Sequence, residues 1–323
     1  MPLVDSETKI RLYRKMMEIR CFEEASLPYF RKPGHGSHHP CIGHEGVEAA
    51  IGAILNQEDY LFGSHRSHGI LLSRGLDPRL MMAELWGKTS GYCQGRGGSM
   101  HITDVSKRTM VSGMVGTSIT LAVGAALAMK LRGEKGIAIA SFGDGAANCG
   151  AFHEGLNMAA IWHLPAVFVC ENNGLAVTTH LRDSTSIMRL SDRASAYSMP
   201  GREVDGTDPV ESCAVLSEAA QRARVDGSPS LICATVPRWR GHSAWEDGSY
   251  LTQEELQEMQ DRDPLPKYRR RLLEEGLLTL DKVDSIDAEL RSNMEEAVRF
   301  AEESVSPPAT KEEAGKYVFA EMG

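Results

Sequence analysis

The sequence predicts an α/β fold, a central and mostly parallel sheet flanked by helices, with helical extensions at both ends. Three apolar runs carry this reading: residues 137–142, 164–170 and 231–236. Each has strand length and lacks the polar alternation of a half-solvated sheet, so each suits a strand buried on both faces. Helix-length stretches at 117–131 and 148–161 alternate with the first two. Strands separated by helices build βαβ units, and βαβ units build parallel sheets.

Taken in order, residues 1–60 mix helical periodicity with a histidine- and glycine-rich loop at 34–46. Helical patterning returns over 46–55 and 78–86, and the glycine-dense stretch 91–99 reads as loop. Residues 117–131 are small and apolar, which suits a buried helix. Residues 253–304 are charged and helical. Thr252 with Glu255 forms a capping box at the start of this region, and Val283, Ile286, Leu290, Met294 and Val298 line one face. That pattern predicts helices laid on the core with their other side in water. No repeat or low-complexity linker divides the chain. It is expected to form one domain over 1–323, with an N-terminal extension at 1–60 and a C-terminal helical extension at 253–323.

Composition narrows the function classes. Of 323 residues, 42% are hydrophobic and 24% charged, and the formal net charge is −9, which argues against a broad nucleic-acid footprint. No apolar run approaches the ~18 residues of a membrane span. The N-terminal residues carry acids and no apolar core of a signal, so no secretory or organellar presequence is expected. Cys21, Cys41, Cys93, Cys149, Cys170, Cys213 and Cys233 are odd in number and contain no C-x-x-C pair. A disulfide framework is not expected, and a reducing, cytoplasmic setting fits better. His35, His38 and His39 form a histidine cluster, but without a matching second ligand pair it does not make a metal motif.

The chemistry lies between residues 137 and 173. A strand ends in Gly143-Asp144-Gly145-Ala146-Ala147-Asn148, a helix follows, and the next strand ends in Glu171-Asn172-Asn173. Ligands of open α/β sheets sit beyond the carboxyl ends of the strands. One crossover between adjacent strands would therefore bring the Asp144 carboxylate and the Asn173 amide oxygen to one edge. Hard oxygen ligands of this type suit Mg²⁺ or Ca²⁺, and Mg²⁺ usually completes its shell with phosphate oxygens and water. Gly143 and Gly145 permit a tight turn close to a ligand, and the following helix N-terminus favours a diphosphate. A dinucleotide fingerprint would need glycine where Asn148 stands, and no P-loop occurs anywhere. Gly-Asp-Gly alone is an ordinary turn; its meaning comes from Asn172-Asn173 at the matching strand end.

Together with Gly95-Arg-Gly-Gly-Ser-Met-His101, Gly113-Met-Val-Gly116 and Arg240-Gly-His-Ser243, this segment resembles the thiamine diphosphate motif of the E1 α subunit of 2-oxo acid dehydrogenases. Pyruvate, branched-chain and acetoin dehydrogenases belong to that group, and the likeness runs collinearly over about residues 8–304. It implies the thiamine diphosphate-binding fold of the diphosphate-binding type, with thiamine diphosphate and Mg²⁺ as cofactors. Asp144, the Asn173 side chain and the Leu175 carbonyl would hold the metal. Gly145 and Ala146 would meet the diphosphate through backbone N–H groups, and Arg66 and His242 through side chains, with His65 beside Arg66. Gly113 and Val115 would hold the aminopyrimidine. His39, His68 and His242 would be the catalytic histidines. The glutamate that activates the cofactor sits on a β-type subunit in this family, so an α₂β₂ assembly is implied. A lipoyl E2 component is a further expected partner, and the substrate a 2-oxo acid or acyloin.

The chain departs from the family pattern at five places. His65 and Leu175 stand where tyrosine is usual, and His44 and Gly46 where glutamine and alanine are. The loop after Ser243 reads Ala244-Trp245-Glu246-Asp247 instead of a Ser-Asp-Pro loop. These changes leave acetoin cleavage, acyl-anion ligation to an aldehyde and a non-catalytic partner-binding role as alternatives to 2-oxo acid decarboxylation.

Overall fold

The computed structural model describes residues 4–32 and 36–318; His35 lies outside them. Helix α1 (Ser6–Phe30) starts at Asp5, whose carboxylate accepts the Thr8 N–H. After α2 (Glu45–Ile54) come β1 (Tyr60–Gly63), α3 (His68–Ser73) and α4 (Pro78–Leu85). The loop 91–99 winds around the buried Glu84 carboxylate, which accepts the N–H groups of Cys93, Gly95, Gly97 and Gly98. Strands β2 (Thr103–Asp104) and β3 (Thr109–Val111) follow, then α5 (Thr117–Arg132), β4 (Ala138–Gly143), α6 (Gly150–Ile161) and β5 (Ala166–Asn172). A small hairpin, β6 (Leu175–Ala176) and β7 (Thr179–His180), leads through α7 (Leu181–Ser184) to β8 (Gly201–Asp205), α8 (Pro209–Asp226) and β9 (Ser230–Thr235). Helices α9 (Gln253–Asp261), α10 (Pro264–Glu274), α11 (Leu280–Glu303) and α12 (Lys311–Gly315) close the described chain.

The described residues form a seven-stranded sheet in the order β2-β3-β1-β4-β5-β9-β8. Every pairing in it is parallel except β2 with β3. The expected burial on both faces is present. Ile139, Val167, Val169 and Ile232 point into one apolar cluster, with α1, α2, α8 and the C-terminal helices. Phe142, Phe168, Cys170 and Leu231 point into a second, with α5 and α6. The period-two alternation of a strand thus serves two cores at once, and each fully buried Phe, Ile or Leu contributes about 1.5–3 kcal/mol to holding the sheet.

Element boundaries differ from the sequence expectation for local reasons. The strand expected at 164–170 is β5, because Leu164 and Pro165 are spent on the turn out of α6. The helix expected at 148–161 begins at Gly150, and a 3₁₀ turn over Asp144–Asn148 precedes it. The backbone leaving Asp144 is therefore that tight turn, not the first turn of the long helix. The charged segment 253–304 breaks into α9, α10 and α11. Asp263 caps α10 with Pro264 in its first turn, and Thr279 caps α11. The Thr252–Glu255 capping box is formed, and Val283, Ile286, Leu290 and Met294 are buried while Val298 is partly so. Helix α8 went unread, although Asp208 accepting from Val210 and Glu211, Pro209 at its start and left-handed Gly227 at its end are ordinary helix punctuation. No helix among the described residues is long and apolar enough to cross a membrane.

Candidate active site

Strands β4 and β5 are adjacent and parallel, with Gly143 opposite Glu171, so Asp144 and Asn173 leave the sheet side by side at its carboxyl edge. They open onto a cavity of about 810 Å³, its solvent-facing part included. His65, Arg66, Val115, Gly145, Ala146, Leu175 and His242 share its wall. The crossover geometry read from the sequence is present.

Asp144 is only 1% exposed, and its Oδ2 has no hydrogen-bond partner. Burial pushes its carboxyl above the ordinary range, against backbone N–H groups that pull it down. A buried oxygen left bare is costly, of order 1–3 kcal/mol, unless a ligand satisfies it. Asn173 Oδ1 accepts the Leu175 N–H at 3.1 Å. The Leu175 carbonyl accepts from Arg238 Nη1 at 3.2 Å and has a second lone pair free. These donors fit a hard cation.

Two guanidiniums face this edge. Arg66 donates to the carbonyls of Pro40 and His242. Arg238 donates to the carbonyls of Leu175 and Val177 and to Tyr250 Oη. Both are buried, and neither forms a salt bridge among the described residues. Burial, followed by the charge of Arg238, lowers Arg66 to about 10; burial also lowers Arg238. Two cations without a carboxylate in a sealed wall mark a place for an anion. Arg238 went unread in the sequence. Its signal was positional, since it stands three residues beyond the carboxyl end of β9, the third strand at this edge.

Gly145 is required where it is, because a Cβ there would lie 2.9 Å from that of Ala176. At the hairpin tip Val177 adopts φ +57°, a conformation unfavourable to a β-branched residue; the Arg238 contact to its carbonyl helps hold it there.

His65 and His242 stand on the cavity wall, and His39, which is not on it, packs against both. Ring centroids lie 4.7 Å apart for His39–His65, 4.8 Å for His39–His242 and 5.3 Å for His65–His242. Burial, then mutual repulsion and Arg66, pushes His39 down to about 2. Burial with Arg66 and its neighbours holds His65 at about 3 and His242 at about 4. All three are neutral at pH 7, able to donate or accept a proton without carrying charge. The loop after them is tied down. Glu246 accepts the His242 N–H at 3.0 Å, Trp245 Nε1 donates to the Gly36 carbonyl, and the Ala244 N–H donates to that of His38. The residues that replace Ser-Asp-Pro thus fasten this loop to the 36–39 segment.

Three expected site residues do not line the cavity: His39, which packs against His65 and His242 without reaching the wall, His68 and Gly113. His68, expected among the catalytic histidines, faces away from it: fully buried, it bonds Glu23 Oε1 at 2.9 Å and Ser99 Oγ at 3.0 Å. The cause is its place as the first residue of α3, packed against α1. Gly113 also stands off the wall, close to the His101 ring, while Met114, Val115 and Gly116 reach it. At the cavity floor, His44 Nδ1 lies 2.7 Å from Glu171 Oε2, and Glu171 Oε1 accepts from Ser141.

Residues 13–310 match the family model described as dehydrogenase E1 component. The chain belongs to the dehydrogenase E1 component family. Among curated relatives of this E1-family chain, the α subunit of the Bacillus subtilis acetoin:2,6-dichlorophenolindophenol oxidoreductase is 38% identical over 98% of the chain and 96% of its own length. The Cupriavidus necator protein of the same name is 39% identical over 94% of the chain and 92% of its own length. The pyruvate dehydrogenase E1 component α subunit of Rhizobium meliloti is 33% identical over 94% and 88%.

Proposed function

We propose that this E1-family chain is the diphosphate-binding half of a thiamine diphosphate- and Mg²⁺-dependent enzyme that splits the bond beside a carbonyl of a 2-oxo acid and passes on the acyl unit. The observation that carries the reading is the pairing of the bare Asp144 Oδ2 with two buried guanidiniums that lack a carboxylate. A divalent cation bridging to a diphosphate would satisfy both at once. Asp144, Asn173 Oδ1 and the Leu175 carbonyl would hold the metal. Arg66 and Arg238 would neutralise the phosphates, with Gly145 and Ala146 close beneath. Thiamine diphosphate, when bound, supplies a nucleophilic carbon and a sink for the electrons released on cleavage. Neutral His39, His65 and His242 would orient the substrate carboxylate or carbonyl oxygen and carry a proton at their ring nitrogens. A β-type subunit would supply the carboxylate that activates the pyrimidine, in accord with the α-subunit names of the relatives. A lipoyl E2 acceptor accords with the E1 family.

Acetoin cleavage is the second reading. It is favoured by the higher identity to the two acetoin oxidoreductase α subunits, 38% and 39% against 33% for the rhizobial pyruvate dehydrogenase subunit.

The test is Asp144→Ala, titrated with the cofactor with and without Mg²⁺. Metal-dependent binding should fall at least about 100-fold while the circular dichroism of the fold is kept, as expected for losing the sole charged protein ligand. Unchanged metal-dependent affinity would sink the ligand assignment.

A further inference from the structure

The cavity floor holds a pair of polar side chains to which the proposed chemistry gives no part. His44 and Glu171 both line the cavity, and both are buried. His44 Nδ1 lies 2.7 Å from Glu171 Oε2, while Glu171 Oε1 accepts from Ser141 Oγ. With Ser141 donating to one oxygen, the carboxylate acts as an acceptor, and the ring gives it the Nδ1 proton. The backbone holds the histidine as firmly. His44 is the residue before α2; its N–H donates to the Cys41 carbonyl at 2.9 Å, and its own carbonyl accepts the Glu48 N–H at 3.1 Å.

What remains is Nε2. It is buried and has no hydrogen-bond partner, so a ring that forms part of the cavity floor carries a bare lone pair. Interiors rarely keep such an acceptor unless a ligand uses it. The surroundings say which donor suits it. His44 stands within electrostatic reach of Asp144, whose carboxyl is raised by burial and drawn down by its neighbours, this ring among them. Asp144, Asn173 Oδ1 and the Leu175 carbonyl would offer a metal oxygens from the protein, and a bridging diphosphate would add its own. Mg²⁺ demands a full octahedron and keeps water where the other ligands fall short. The ion polarises such a water, which makes its hydrogens strong donors in need of an acceptor.

We propose that His44, held by Glu171, accepts a hydrogen bond from a water on the cofactor's metal. The inference rests on the thiamine diphosphate reading and adds a residue to it. His44 is a positioning residue: it touches neither the ion nor the reacting atoms, and acts by aiming the water's oxygen at the ion. Glu171 does for His44 what a carboxylate does behind a metal-linked histidine, fixing tautomer and ring direction. Because Glu171 lies in β5 just before Asn173, the same hydrogen bond couples the start of α2 to the strand end that carries a proposed ligand. A side-chain carbonyl could accept the same bond, so the glutamine usual in the family at position 44 would serve as well. A hydrocarbon ring would not.

The experiment titrates inorganic diphosphate into the full chain by calorimetry, once with Mg²⁺ and once with a chelator. Diphosphate alone reports on Arg66 and Arg238, and its Mg²⁺ complex reports on the metal ligands too. His44→Phe should weaken the Mg²⁺ complex by about 10–100-fold, the usual effect of losing an outer partner, and leave metal-free diphosphate binding unchanged. His44→Gln should bind both as the wild type does. Equal loss with and without metal would make His44 merely structural and overturn the proposal, as would no loss at all. Failure of the cofactor reading looks different: Asp144→Ala would then keep its Mg²⁺ dependence, and this inference would fall with it. Should His44→Phe not fold, nitrogen NMR of the histidine-labelled wild-type chain decides. The signals missing from His44→Gln should show a protonated Nδ1 and a bare Nε2, and move with Mg²⁺-diphosphate but not with diphosphate alone. A proton on Nε2, or no metal-dependent movement, overturns the proposal.

Discussion

Two histidine groups lie back to back in this molecule, and consecutive residues supply them. His39 packs against His65 and His242 of the cavity wall, whereas His38 joins Glu23 and His68 in the sealed interior. The first group has two arginines nearby and one carboxylate, that of Glu246 on the His242 N–H; the second is built on a carboxylate that touches both of its imidazoles. Burial drives His38 and His39 alike towards the neutral form. Of these rings, only His65 and His242 line the cavity and have access to a ligand. Surroundings, more than residue type, divide these imidazoles into scaffold and machinery.

Three measurements press on this division. The largest contrast should come from hydrogen exchange with and without thiamine diphosphate and Mg²⁺. Amides in 175–200 and 240–250, beyond the strand ends at the cavity, should gain protection of about tenfold or more on binding. Amides around Cys41 and His68 should exchange slowly in both states, and a cofactor response there would erase the distinction.

A smaller effect is expected from His65→Tyr, assayed with a β-type subunit on 2-oxo acids and acetoin. Because His65 touches His39 and His242 at the wall, relative kcat/KM values should shift by about tenfold, the order set by one altered pocket contact. The same profile for both versions would make this ring a bystander.

The smallest effect is in acid. His39, His65 and His242 sit at about 2, 3 and 4 when folded, against about 6.5 in an unfolded chain. Unfolding therefore takes up protons below pH 6.5, and the stability from keeping these rings neutral, whole above that pH, is lost as pH falls towards 4. In cofactor-free chain the melting temperature should drop between pH 6.5 and 4.5, before most carboxylates titrate. His65→Tyr should reduce proton uptake on unfolding at pH 5 by about one, as read by calorimetry in buffers of different ionisation enthalpy. Equal uptake would place His65 in contact with water.

The sheet and its ligand edge were legible because strand and helix have periods, and because residues 144 and 173 stand at two strand ends one crossover apart. The segment 36–44 has no period, so nothing in its letters tells that His38 packs against Glu23 and His68 while His39 packs against the histidines of the cavity wall. His68 was misread for a related reason: a motif gives neighbourhood, but the helix it opens sets the direction. Strands as short as β1, β3 and β8 offer too few residues for alternation to register. Arg238 belongs to no local pattern and acquires meaning only once β9 is seen beside β5.

The sheet also ends abruptly on both sides. At one margin β2 is a two-residue antiparallel stub. At the other, β8 shows water a glycine, an arginine and an aspartate, with Arg202 and Asp205 reaching towards Glu218 and Arg262. Short, charged borders of this kind resist strand-to-strand recruitment and the aggregation that follows from it. Any association of this protein, with its own copies or with another chain, must then proceed by side chains meeting across helix and loop surfaces. A concentrated solution is expected to hold much of it without seeding fibres.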